Sequence, residues 1–125
     1  MNNKPKILYV DDEPMNLELF ELNFNRYYDV LTSTDGFSAL RILQENADIK
    51  AVITDLKMPF INGFDFLARV KVVFPEMKCF LMSGYDHNEQ IANAIKTGLI
   101  LGYFMKPFDL NKIKSTLQMH LGEQN

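Results

Sequence analysis

Cysteine occurs once in this sequence, at Cys79. A single thiol excludes an internal disulfide and a cysteine-based zinc site, and it suits a reducing cytosol. Positive charge is also scarce. Thirteen Lys and Arg stand against sixteen Asp and Glu, a formal net charge of −3. With a pI near 5.3, the chain lacks the electrostatic footprint of nonspecific binding to nucleic acid or to anionic membranes. Long hydrophobic runs are missing as well. The first apolar stretch spans Ile7 to Val10 and ends in Asp11-Asp12. A secretory signal needs a longer run, and a membrane-spanning helix needs about twenty residues. No linker, low-complexity tract or sustained repeat interrupts the sequence. The expectation is a cytoplasmic protein with a natural start at Met1.

What is present is the composition of an ordinary globule. Hydrophobic residues make up 47% and charged residues 23%, which excludes disorder. The 125 residues suffice for one domain, expected to run over 1–125. A chain of this size can bury about two-thirds of its unfolded surface.

Short apolar runs alternate with helical periodicities. Strands are expected at Lys6–Val10, Asp29–Ser33, Ala51–Thr54, Lys78–Met82 and Leu101–Phe104. Their mostly apolar character fits strands buried on both faces. Helix spacing recurs between them. Leu17, Phe20 and Phe24 lie on one face of a helix that Pro14 opens. Phe37, Leu40, Leu43 and Ala47 outline a second, begun by Asp35-Gly36. Phe64, Leu67, Ala68 and Val70 outline a third, stopped before Pro75. Ile91, Ala94 and Ile95 outline a fourth, ended by Gly98, and Leu110, Ile113, Leu117 and Leu121 a fifth, capped by Asp109.

A fivefold strand–helix alternation predicts an α/β fold: one doubly wound, five-stranded parallel sheet with helices on both faces. Ligands of such sheets lie at the carboxyl ends of the strands, where the winding reverses. The residues at those ends are Asp11-Asp12-Glu13, Asp55, Ser83-Gly84 and Lys106-Pro107. Three carboxylates, a hydroxyl and an ammonium would then converge. Clustered carboxylates attract a hard divalent cation, Mg²⁺ or Mn²⁺. A carboxylate can also be a nucleophile and form an aspartyl phosphate, whose oxygens a metal, Lys106 and Ser83 would stabilise.

These stretches resemble the receiver domain of bacterial two-component response regulators. The matching residues are Val10-Asp11-Asp12-Glu13-Pro14, then Asp55-Leu56-Lys57-Met58-Pro59 with Gly63 beyond. Leu81-Met82-Ser83-Gly84 and Tyr103-Phe104-Met105-Lys106-Pro107-Phe108 follow. The resemblance runs from about Lys6 to Leu121 and implies the flavodoxin-like strand order 2-1-3-4-5. It implies that Asp55 is the phosphoacceptor, served by a sensor histidine kinase or a histidine phosphotransfer protein. Asp12, Asp55 and the Lys57 backbone carbonyl would hold Mg²⁺, with Asp11 helping directly or through water. Ser83 and Lys106 would bind the phosphoryl oxygens, and Tyr103 would swing inward as Ser83 moves. That motion would reshape the face of the fourth helix, fifth strand and fifth helix for a downstream effector or output domain. A second copy of the chain is a further candidate partner. Lys57 and Tyr85 occupy positions that tune phosphoryl lifetime, and bulky Tyr85 is expected to slow autodephosphorylation. The Lys106-Pro107 bond is expected to be cis, as in many relatives.

Two positions depart from the family pattern. Asn62 stands where relatives commonly carry Asp, at a structural position. The stretch from Gly98 to Tyr103 is one residue longer than usual, which is expected to shift the register or bulge the loop. The remaining chemistry-bearing residues have plainer readings: Cys79 as a core thiol, His87 and His120 as surface residues, the phenylalanines and most methionines as core filling, with Met105 exposed.

Three other functions compete. A haloacid-dehalogenase-type phosphatase would carry Asp-x-Asp after the first strand and a cap insertion, and the sequence has neither. A flavodoxin-like electron carrier would need a hydroxyl- and glycine-rich phosphate loop where Asp11-Asp12-Glu13 stand. A degenerate docking or dimerisation module need not retain the acceptor residues, all of which are here. No helix is basic enough to bind DNA. The expected protein is a self-catalysed phosphoacceptor with slow autodephosphorylation, not a multiple-turnover enzyme.

Overall fold

The structure is a computed structural model and describes residues 4–84 and 88–122. Five strands and five helices alternate: β1 (Lys6–Val10), α1 (Pro14–Phe24), β2 (Asp29–Ser33), α2 (Gly36–Glu45), β3 (Ile49–Asp55), α3 (Gly63–Val73), β4 (Lys78–Ser83), α4 (Glu89–Lys96), β5 (Gly102–Met105) and α5 (Leu110–Leu121). All strand pairs are parallel, in the order β2-β1-β3-β4-β5. This is the doubly wound sheet expected from the sequence.

The period of two along each strand divides the core. Ile7, Tyr9, Ala51, Ile53, Phe80 and Met82 face Leu17, Phe20 and Phe24 of α1 and Ile113 and Leu117 of α5. Leu8, Val10, Val52, Cys79 and Leu81 face the buried residues of α2, α3 and α4. Cys79 is the expected core thiol, and burial pushes it up to about 12.

Local chemistry sets the helix starts. Asp35 accepts from the Ser38 N–H at 2.9 Å, Asn62 from Asp65 N–H at 2.9 Å and Asn88 from Ile91 N–H at 3.0 Å. Asp109 accepts from Asn111 N–H at 3.0 Å and Lys112 N–H at 3.2 Å. Each satisfies backbone donors that a helix leaves open. Asn62 therefore has a structural role, as the cap of α3. Helix α1 begins at Pro14 with Glu13 before it, and the Glu13 side chain makes no capping bond.

Several expectations need correction. Strand β3 extends two residues earlier and one later than expected, β4 includes Ser83, and β5 begins one residue later than expected. Ala47 lies beyond the end of α2, and Phe37, Ala68 and Ile95 are exposed. Helical spacing marked those positions, but the buried stripe is narrower than the spacing. The phenylalanines are not all core, since Phe60 is 85% exposed. Nor are the methionines mostly core. Met77 and Met82 are buried, whereas Met15, Met105 and Met119 are exposed, Met105 as expected. His120 is half-buried rather than fully on the surface. Its ring meets Phe80 edge-on at 5.5 Å, and its carbonyl accepts a bond from the Lys78 ammonium. His87 lies outside the described residues.

The stretch from Gly98 to Tyr103, expected to shift the register or bulge the loop, does not break the pairing of β5. Gly98 takes a φ of 83°, a left-handed conformation that glycine adopts without strain. Ile100 is buried, and Leu101 turns outward while its N–H donates to Cys79 O at 2.8 Å. The register of β5 against β4 is continuous, with Phe80 beside Gly102, Leu81 beside Tyr103 and Ser83 beside Met105.

Candidate functional site

The winding reverses between β1 and β3, which are neighbours in the sheet. Asp11 follows the first of these strands and Asp55 ends the second. Asp11 is fully buried and Asp55 is 8% exposed. Lys106, just past β5, places its ammonium 3.0 Å from Asp11 Oδ2 and 3.0 Å from Asp55 Oδ2. Asp12 is exposed beside them, and one carboxylate oxygen from each of the three acids lies within 4.8 Å of the others.

Backbone bonds fix these parts. Asp11 N–H donates to Ser33 O at 3.1 Å, Leu56 N–H to Met82 O at 3.1 Å, and Lys106 N–H to Ser83 O at 2.8 Å. The last ties the lysine to the end of β4, where Ser83 is buried. The Lys106-Pro107 bond is cis, as expected. Past Asp55, the loop returns at Gly63, whose N–H donates to Leu56 O at 2.8 Å. Lys57 lies on this loop and is exposed.

The structure thus gathers Asp11, Asp12, Asp55 and Lys106, and sets Ser83 beside them through the backbone. Tyr103 is half-buried against the cluster that contains Ile91 and Ala94 of α4. Tyr85 lies outside the described residues.

Two residues at the site were not anticipated. The Tyr9 hydroxyl donates to Asp11 Oδ2 at 2.8 Å, and Asn16 Nδ2 donates to the same oxygen at 3.2 Å. Tyr9 carried a signal: a residue with a polar tip in an apolar strand, two positions before Asp11 and so on the same face. Asn16 carried none that distinguishes it from a solvated helix residue.

The electrostatics follow from burial. Loss of water raises the Asp55 carboxyl above the ordinary carboxylate range. The Lys106 hydrogen bond and charge oppose this, and the Asp11 charge adds to it. Burial alone would lower Lys106, but its bonds to Asp11 and Asp55 outweigh that and hold it above its ordinary value. Burial, reinforced by Asp11, keeps Tyr9 neutral far above its usual range.

A stability consequence can be signed. With its folded value raised, Asp55 binds more protons in the folded chain than in the unfolded one as pH rises past the ordinary carboxylate range. Folding stability therefore falls across that interval, and ionised Asp55 carries a penalty above it. Asp55→Asn removes it. Without divalent cation, this variant is expected to be more stable than wild type at pH 7 by on the order of 1 kcal/mol. The advantage should shrink near pH 4. Urea unfolding in EDTA at both values checks this, and a variant no more stable than wild type at pH 7 contradicts it.

The chain has counterparts among known proteins. The family model described as "Response regulator receiver domain" matches residues 7–118. Chemotaxis protein CheY1 of Helicobacter pylori is 32% identical over 121 residues, covering 94% of this chain and 97% of that protein. Sporulation initiation phosphotransferase F of Bacillus subtilis is 31% identical over 118 residues, covering 93% of each. Among solved structures, the signal receiver domain of an HD domain-containing protein from Pseudomonas fluorescens superposes with a TM-score of 0.86. It is 28% identical, with 95% of each chain covered. The chain belongs to the response regulator receiver domain family, the receiving module of two-component signalling. Among the described residues, no helix is long and apolar enough to cross a membrane.

Proposed function

We propose that the chain, read as one receiver domain over residues 1–125, takes a phosphoryl group onto Asp55 and uses it as a reversible switch. The observation that carries this reading is the Lys106 ammonium held 3.0 Å from both Asp11 and Asp55 beside the three-acid cluster. The donor would be a phosphohistidine on a sensor kinase or a phosphotransfer protein. An Asp55 oxygen attacks phosphorus, the phosphorus–nitrogen bond breaks, and the imidazole leaves with a proton. Lys106 then turns from the Asp55 carboxylate to a phosphoryl oxygen, and the Ser83 hydroxyl donates to another.

The donor set fits a hard divalent ion: Asp12, Asp55 and the Lys57 carbonyl, with Asp11 direct or through water. Bound Mg²⁺ or Mn²⁺ would neutralise part of the charge on the transferring group. Exposed Asp12 gives the ion access from solvent, while buried Asp11 adds charge from below. Lys57 and Tyr85, at the positions that tune phosphoryl lifetime in relatives, would set how long the acyl phosphate survives water. The chain would not turn over a substrate repeatedly. Its output would pass through Tyr103 to the α4-β5-α5 face, where edge strand β5 exposes Met105. An effector, an output domain or a second copy of the chain would read that face. Physically this is a two-state packing change biased by one new local charge.

Intact mass after incubation with acetyl phosphate tests the reading. One phosphoryl adduct is expected on wild type with Mg²⁺, none in EDTA and none on Asp55→Asn. A folded wild-type protein that gains no adduct from acetyl phosphate or a histidine kinase would instead be a docking module.

A further inference from the structure

Strand β1 is apolar between Lys6 and Asp11 except at the tip of Tyr9. Tyr9 is fully buried, and its ring stacks on Phe20 at 4.2 Å. Packing does not require the hydroxyl, because a phenylalanine would make the same stack. A buried hydroxyl is unfavourable unless it finds a partner, and this one finds the carboxylate of Asp11 at 2.8 Å.

Asp11 is almost saturated. Its Oδ2 accepts from the Tyr9 hydroxyl at 2.8 Å, the Lys106 ammonium at 3.0 Å and Asn16 Nδ2 at 3.2 Å. Among the described residues, its Oδ1 accepts only the Glu13 N–H, at 3.0 Å. An ionised carboxyl offers about four lone-pair directions, two on each oxygen. Oδ2 has none to spare, and Oδ1 keeps one.

We propose that Tyr9 and Asn16 are positioning residues that turn Asp11 Oδ2 inward and leave Oδ1 as the one oxygen Asp11 presents to a divalent cation. The inference rests on the metal reading given under Proposed function. It also gives Asp11 two donors that stay in place when Lys106 leaves it for a phosphoryl oxygen. Lys106 can then move without leaving Oδ2 of a buried carboxylate bare.

Donors that orient a metal-binding carboxylate are worth tenfold or more in metal affinity. Tyr9→Phe keeps the ring stack and removes only the hydroxyl. Titration of the ¹⁵N-labelled chain with MgCl2, followed by amide shifts, is expected to give a Kd about tenfold weaker for Tyr9→Phe than for wild type. Asn16→Ala should weaken it in the same direction. The metal-free amide spectrum of each variant reports that it is folded. A Tyr9→Phe Kd within about twofold of wild type, or tighter, overturns the inference while the metal reading stands on the wild-type titration. A lower Tm with an unchanged Kd does the same, since it marks a purely structural hydroxyl. Wild-type protein that binds no Mg²⁺ overturns both.

Discussion

Lys106→Met is expected to lower the Tm of the metal-free protein at pH 7 by roughly 10 °C. The lysine ammonium bridges Asp11 Oδ2 and Asp55 Oδ2, at 3.0 Å from each. Methionine fills the space of the stem but carries no charge. Two carboxylates with almost no access to water would then face each other without a cation. Deleting one partner of a buried pair costs about 3–5 kcal/mol. The Lys106 side chain is 24% exposed, so solvent already screens part of the pair and about 2–3 kcal/mol is the better expectation. The deficit has a pH signature. With the cation gone, the Asp55 carboxyl rises further, so the folded state is penalised most at neutral pH. The loss should narrow as pH falls and Asp55 protonates. Millimolar Mg²⁺ should raise the Tm of the variant more than that of wild type, because no ammonium competes for the acids. Phosphorylation by acetyl phosphate should slow about a hundredfold, the usual effect of removing one charge-stabilising donor. Thermal melts with EDTA and with Mg²⁺ decide the point. A metal-free Tm within 2 °C of wild type (about 0.5 kcal/mol) would show that the bridge contributes little.

The fold was legible because its signals were redundant. Short apolar runs, helix spacing and turn residues all agreed on a five-unit alternation, and the residues at the strand ends fell together once the sheet was assembled. Asp55 and Asp11 could be placed from topology alone, since they end neighbouring strands at the switch point. Boundaries were less legible. Leu101 reads as strand because it is apolar, yet its side chain is 42% exposed and only its N–H is anchored, on Cys79 O. Hydrophobicity does not distinguish a strand residue from an apolar loop residue held by one backbone bond. Phe60 shows the same limit. It reads as core, but the tight return from Pro59 to Gly63 holds it at φ 73° with its ring in solvent. The role of the Tyr9 hydroxyl was hidden for another reason. A tyrosine in a buried strand reads as packing, and only coordinates show which atom its oxygen meets.

Gly63 carries the second large expectation, and sterics decide it. This residue opens α3 and closes the loop that leaves Asp55, donating its N–H to Leu56 O at 2.8 Å. A Cβ there would lie 2.6 Å from the Asp55 carbonyl oxygen, 3.0 Å from Leu56 Cα and 3.1 Å from Leu81 Cδ1. The first two neighbours are backbone, so no rotamer change relieves them. Either the start of α3 lifts off the sheet or the end of β3 moves, and Asp55 shifts against Lys106 in the second case. Gly63→Ala is expected to cost about 2–3 kcal/mol, as overpacking of a closed site does. A displacement of 1 Å at a reacting group can cost about a hundredfold in rate, so phosphorylation should fall further than stability explains. Gly84→Ala is the control for stability. A Cβ at Gly84 would meet nothing within 4 Å, and its effect should stay within about 0.5 kcal/mol. Urea unfolding of the two variants in parallel, with the rate of acetyl phosphate labelling measured on the fraction still folded, separates the two effects. If Gly63→Ala unfolds like Gly84→Ala, the loop has room to move, and the placement of Asp55 does not depend on this close approach.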